Sequence, residues 1–347
     1  MAFSDNINYA ALTDKTITRD SFTPAQLELA GVAGGRTGGK AMSTLKIVAI
    51  VMAVIMVMSA TASVLVSGNV VRALMNAVPT LVTLAVIILA VFIVARFTTR
   101  GQMMMLKFAL DNHLTYTATK TSPPTDPIMF NIGHSRFVTN ELDWPNDDLT
   151  LADYEYTVGS GKNSRTYRLK YARVKLPRNV PHLLLNAKGN FVNMGIGNYE
   201  VKKLKLEGDF DKYFDLCTPP DYQIDALEIF TPDVMAILLD VGRRYDYELV
   251  GNYLYIYASK MFDSNNREKQ IKEMLQIVDA LAPKFDMQVQ TYSDERAGNV
   301  ASGLVAAQGE QLQKRKITRA AVIVIVIVAV WLSWQIFGVV IINFLRR

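Results

Sequence analysis

Three histidines, one cysteine and a short run of carboxylates are the side chains here whose types could do chemistry. His113, His134 and His182 stand far apart. None has a cysteine or glutamate at the short spacings that bring metal ligands together. His182 follows Pro181 at the start of an apolar run and reads as a structural side chain. Cys217 lies in FDLCTPP, outside the surroundings of known nucleophilic cysteines, and reads as a packed or edge thiol. A single thiol also excludes an internal disulfide. Ser160, in GSG, lacks the Gly-x-Ser-x-Gly pattern of a nucleophile elbow.

The segment LEGDFDKYFD brings Glu207, Asp209, Asp211 and Asp215 close in sequence and is the best candidate for metal binding or acid–base work. Asp209 and Asp211 have the spacing of the first calcium-loop ligands, but the downstream glycine and terminal glutamate are missing. A solvated turn with a capping aspartate accounts for the segment equally well. No residue is therefore assigned to catalysis or to a metal, and no cofactor is expected.

The most polarised stretch runs from Lys162 to Lys188, with no acidic residue between Glu155 and Glu200. Within it Arg165, Arg168, Lys170, Arg173 and Lys175 are the candidates for contact with an anionic surface. Their interleaved tyrosines could stack on bases, and an anionic bilayer leaflet is an alternative counterpart. An ordinary solvated strand face, balanced by acids from Glu207 to Glu248, is the plainer account. Nucleic acid is the disfavoured partner.

The elements that must position these residues are sharply segregated. Half of the 347 residues are hydrophobic and the net charge is +5. Three uncharged blocks, from about Ile47 to Val66, Ala73 to Val94 and Ala320 to Leu345, each match the roughly 20 apolar residues of a bilayer span. They predict three transmembrane helices, the first two paired as a hairpin through SGNVVR. Arg36, Lys40 and Lys46 before the first block, with Arg96, Arg100 and Lys107 after the second, place the large domain in the cytoplasm. None of the blocks carries a central ionisable residue, which disfavours a transporter. The glycine-rich GVAGGRTGGK reads as a linker, since no strand precedes it and no Ser or Thr follows its lysine.

Between the second and third blocks the periodicity predicts an α+β domain. A helix is expected over Met103–Leu114, and a hairpin of Asp153–Val158 with Tyr167–Leu176 around GSGKNS. Further strands are expected at Val180–Asn186 and Val201–Glu207, then helices at Tyr222–Phe230 and Val234–Val241. A second hairpin joins Tyr245–Val250 to Tyr253–Tyr257 through Gly251-Asn252. An amphipathic helix follows from about Asn265 to Leu281, and Met287–Tyr292 reads as a last strand.

PHLLLNAKGN (Pro181–Asn190) and the segment from Leu206 to Asp240 carry a resemblance to uncharacterised bacterial membrane proteins. In those proteins paired amino-terminal transmembrane helices lead into an α+β domain of unknown function. The resemblance implies that layout and supplies no catalytic residue.

The expected organisation is a polar, partly disordered segment (1–44), a transmembrane hairpin (45–96) and a soluble domain (97–290). A juxtamembrane connector (291–319) and a third transmembrane helix (320–347) complete it. The function expected is that of a non-enzymatic scaffold or interaction module, multi-pass in the cell membrane, with lipid and a protein partner or second copy as its contacts. The alternatives are a membrane-bound hydrolase or metal-dependent enzyme using the carboxylates near Asp209, and nucleic-acid or anionic-lipid binding through residues 162–188.

Overall fold

The computed structural model describes residues 2–14, 16–30, 100–120, 122–190, 199–206, 208–262, 266–297 and 304–314, with Val82, Ala85 and Val86 as isolated positions. They form an α+β fold on a seven-stranded antiparallel sheet. The strands are β1 (Thr115–Lys120), β2 (His134–Asp143), β3 (Leu149–Val158), β4 (Arg165–Ala187), β5 (Lys202–Leu204), β6 (Phe214–Thr218) and β7 (Asp246–Ser259). The helices are α1 (Pro24–Leu29), α2 (residues 100–111), α3 (Phe210–Tyr213), α4 (Gln223–Ile229), α5 (Pro232–Val241), α6 (Arg267–Thr291) and α7 (Ala307–Glu310).

β4 is the spine of the sheet. β7 pairs along one of its edges, while β3 and β6 share the other, at its first and second halves. The expected turn at Gly251-Asn252 is corrected: β7 runs straight through these residues. Lys175 pairs with Tyr253 and Val180 with Gly251, so four residues of β4 face only Asn252 of β7. Pro177, in that bulge, has no N–H to give the ladder. Gly251 takes a φ of +58°, which glycine adopts without a Cβ penalty. Across the bulge the inward set of β4 changes from Ala172 and Val174 to Leu183 and Leu185. That of β7 changes in step, from Leu254 and Ile256 to Tyr247 and Leu249, and all eight stay in one core.

Both faces of the sheet are covered. One carries α2, α4, α5 and α6, with the amino-terminal residues laid across them: Leu12, Phe22, Leu27, Phe108, Ala226, Leu238 and Leu275 share its core. Ala11, Leu12, Ile17, Phe22, Leu27 and Ala30, within the segment anticipated as a polar lead-in, are thus packed. Thr23 Oγ1 accepts from Gln26 N and Gln26 Oε1 from Thr23 N, a reciprocal cap ahead of Pro24. Asp279 of α6 accepts from the backbone of Phe3 and Ser4 at 2.5 and 2.9 Å. On the other face Phe130 sits among Tyr154, Tyr171, Tyr255 and Tyr257, at centroid distances of 4.7–6.0 Å. Ile128, Met129, Tyr199 and Leu312 close this smaller core.

The strand expected at Met287–Tyr292 is also corrected, because α6 continues through Pro283 to Thr291. Phe285 and Val289 extend the buried stripe of Val278, Leu281 and Ala282, and that burial outweighs the hydrogen bond lost at proline.

The three transmembrane helices are corrected as well. Among the described residues no helix is long and apolar enough to cross a membrane. α6 has the length, but Lys269, Lys272, Glu273, Asp279 and Lys284 lie along it. The blocks at 47–66, 73–94 and 320–345 lie outside the described residues apart from Val82, Ala85 and Val86. The multi-pass placement in the cell membrane, with a cytoplasmic domain, is therefore withdrawn. Apolar composition states what lipid would tolerate; a span also needs the continuous helix that satisfies its backbone.

Candidate functional site

The chemistry-bearing groups gather in two hubs, the first sealed and the second exposed at Arg296, and in open clefts, while His113 and His134 are exposed. In the first hub the Nε2 atom of His182, on β4, lies 2.7 Å from Glu248 Oε1 of β7. Ile128 N donates to Glu248 Oε1 at 2.5 Å and Tyr257 OH to Oε2 at 2.9 Å. Leu312 N donates to His182 Nδ1 at 3.2 Å, which fixes the imidazole proton on Nε2. His182 is 1% exposed, and the Glu248 and Tyr257 residues 0%. Burial, and then the Glu248 charge, drive the Tyr257 phenol well above its ordinary value, so it remains a donor. No face of this constellation is open to substrate. It ties two strands, the segment at Ile128 and the segment at Leu312 into one unit.

The second hub holds the chain after α6. Arg296 bridges Asp225 of α4 at 2.5 Å and Asp294 at 3.0 Å, and its guanidinium lies 4.0 Å from the Tyr222 ring centroid. Tyr222 OH and Ala306 N donate to Asp294 Oδ2 at 2.7 and 2.9 Å, and Tyr292 OH to Asp225 at 2.9 Å. Burial would raise Asp294, but the donors at Ala306, Tyr222 and Arg296 outweigh it and hold the carboxyl below its usual range. Gly309 rests on Tyr222: a Cβ there would come within 2.3 Å of the ring. Tyr222 is buried and hydrogen-bonded, so it cannot yield. Gly309→Ala is therefore expected to cost about 1–3 kcal/mol and to open residues 304–314 to proteolysis; unaltered cleavage and stability would contradict this packing.

The basic strand does not form a common face. Arg165 is exposed, whereas Arg168 pairs with Glu155 across the β3–β4 ladder. Lys170 is buried, 5.6 Å from the Phe262 ring and 3.4 Å from Lys260 O, and burial lowers its pKa. Arg173 pairs with Asp147, bonds Thr150 and lies 4.9 Å from the Tyr253 ring. Lys175 Nζ donates to Asn146 O at 3.3 Å. Strand alternation places Arg168 and Lys170 on one face and Arg173 and Lys175 on the other, and Glu155 and Asp147 neutralise Arg168 and Arg173. The carboxylates of 207–215 scatter likewise. Asp209 is exposed beside Lys212, Asp211 accepts from Leu206 N, and Asp215 lies between Lys188 and Lys203. Glu207 lies outside the described residues. Burial pushes the Cys217 thiol up to about 11, which leaves it protonated and packed.

An open cleft of about 790 Å³ lies where α5, α6 and the end of β4 meet. Lys188 and Tyr213 border one side, and Asp240, Arg243, Arg244 and Tyr245 follow along the end of α5. Glu273 and Gln276 come from α6. The turn bearing the arginines is pinned by Tyr247, whose hydroxyl donates to Gly242 O at 3.0 Å. A side chain at residue 242 would strike that hydroxyl at 2.1 Å, so the close approach requires glycine. The Arg243 guanidinium lies 5.1 Å from the Tyr213 ring centroid. Behind the cleft, Asp246 is fully buried with Ala187 N and Asn190 as donors at 2.7 and 2.6 Å. Burial raises it to about 7 against those hydrogen bonds. Sequence reading passed over this region because its residues come from four separate stretches; the adjacent Arg243-Arg244 after a helix-ending glycine was the only local signal.

Among the described residues no group of three or more His, Cys, Asp or Glu side chains is placed to hold a metal ion. No protein-family profile matches the chain, and no curated protein does. Among solved structures, the crystal structure of the mycobacterial trehalose monomycolate transport factor A is similar over 54% of this chain and 92% of that one, at 10% identity and a TM-score of 0.36. A likeness that distant carries no argument about function.

Proposed function

We propose that the fold serves as a non-enzymatic interaction module with the cleft between α5, α6 and the end of β4 as its binding surface. One observation carries this reading: the described lining of the cleft presents recognition groups and holds no histidine, cysteine or serine. His182, Glu248 and Cys217 are sealed. The cleft offers guanidinium, phenol, amide and carboxylate groups in a volume within the range of small-ligand sites.

The test pairs two measurements on the purified chain. Quantitative capture from a cell extract, using wild type and the Arg243→Glu/Arg244→Glu variant, should retain ligands or proteins that the variant loses. Incubation with a metabolite extract, followed by mass spectrometry, should show no time-dependent conversion. A conversion that tracks with the purified chain would refute the non-enzymatic reading.

A further inference from the structure

The charges around the cleft limit what it can hold. Lys188 shares the Asp215 carboxylate with Lys203, each at 3.1 Å. Arg243 and Arg244 have no ion-pair or hydrogen-bond partner among the described residues, and both are exposed. The Arg243 guanidinium carbon lies 5.1 Å from the Tyr213 ring centroid, a contact that leaves its N–H groups available. Two adjacent guanidinium groups of this kind match a phosphate, which accepts several charge-assisted hydrogen bonds at once. The remaining lining has the opposite character. Asp240 and Glu273 accept hydrogen bonds, Gln276 both gives and accepts, and Glu273 has only a loose ion pair with Lys269 at 3.8 Å. A ligand anionic throughout, such as an acidic peptide or a nucleic-acid backbone, would meet repulsion from these two carboxylates. A neutral hydroxylated body with one phosphate satisfies both sets.

Resting on the reading of the cleft as a binding surface, we propose that it takes a phosphorylated sugar or polyol. Its phosphate lies against Arg243 and Arg244, and its hydroxyls face Asp240, Glu273 and Gln276. The same chemistry occurs in a soluble sugar phosphate and in a phosphoinositide headgroup.

The experiment is calorimetric titration of the purified full chain with glucose 6-phosphate, glucose and inorganic phosphate. Flotation with phosphatidylcholine vesicles, with or without phosphatidylinositol 4-phosphate, runs beside it. A phosphorylated probe should bind saturably, with glucose and inorganic phosphate each at least tenfold weaker. The Arg243→Ala/Arg244→Ala variant should lose at least tenfold; both side chains are exposed, and its thermal transition serves as the control for folding. Flotation with the phosphoinositide vesicles alone identifies the headgroup, and binding of glucose 6-phosphate without flotation identifies the soluble form; either supports the site. Binding of neither phosphorylated probe, or binding that the double variant keeps, overturns it. If capture of other ligands persisted in that case, the interaction reading would stand. Conversion of a bound probe would instead remove the non-enzymatic reading and leave the site in place.

Discussion

Replacing His182 by alanine lowers the stability of the fold by about 3–5 kcal/mol and frees the Leu312 amide to exchange with solvent. Every contact of Glu248 is with a donor: the imidazole Nε2–H, the Ile128 amide and the Tyr257 hydroxyl. Removing the imidazole leaves a buried carboxyl short of one partner, strands the Leu312 N–H and opens a cavity in the aromatic core. Each of these defects carries a penalty. His182→Gln provides the control. Its amide N–H can serve Glu248 and its oxygen can accept from Leu312, so part of the stability should return. Denaturant titration gives the first quantity and hydrogen exchange the second. A loss under about 1 kcal/mol with Leu312 still protected would show that the hub does not hold the chain at 304–314.

The second large effect is on pH dependence. Asp246 is fully buried, and burial raises its carboxyl to about 7. The unfolded chain releases that proton near pH 4, whereas the folded chain keeps it to about pH 7. The contribution to stability is therefore complete below pH 4 and is lost as pH rises through 7. Asp246→Asn has nothing to ionise. It should match wild type within about 1 kcal/mol at pH 4, where Oδ1 can still accept from Ala187, and exceed it by roughly 2–4 kcal/mol at pH 8. Asp153, raised to about 6 by burial, acts in the same direction in both proteins and cancels in the comparison. A wild-type-minus-variant difference that stays flat from pH 4 to pH 8 would show that Asp246 is not held protonated in the fold.

Much of the local structure was legible in the residues. Thr23-Pro24 announces the start of α1, and the alternation of Tyr167, Leu169 and Tyr171 after GSGKNS announces the second strand of the β3–β4 hairpin. The helical spacing of Val234 and Leu238 sets the buried face of α5. Where reading by pattern went wrong, a tertiary partner decided. Gly251-Asn252 has the composition of a tight turn, yet β4 lies alongside and pulls the chain straight, the glycine absorbing a bulge. Met287–Tyr292 alternates like a strand, yet Phe285 and Val289 find a core at helical spacing.

Charge proved least legible. Lys170 and Arg173 belong to one unbroken basic run, but their partners Phe262, Asp147 and Thr150 come from elsewhere in the chain. The cleft and both hubs depend on the same kind of meeting. The sequence by itself determined the α+β class of this domain and the positions of most helices and strands, because these follow from periodicity and capping within a few residues. Only the tertiary structure decided which ionisable groups are sealed and which face water. A side chain's burial and partners depend on segments brought together from far apart in sequence, 130 residues at His182 and Leu312 and 276 at Phe3 and Asp279.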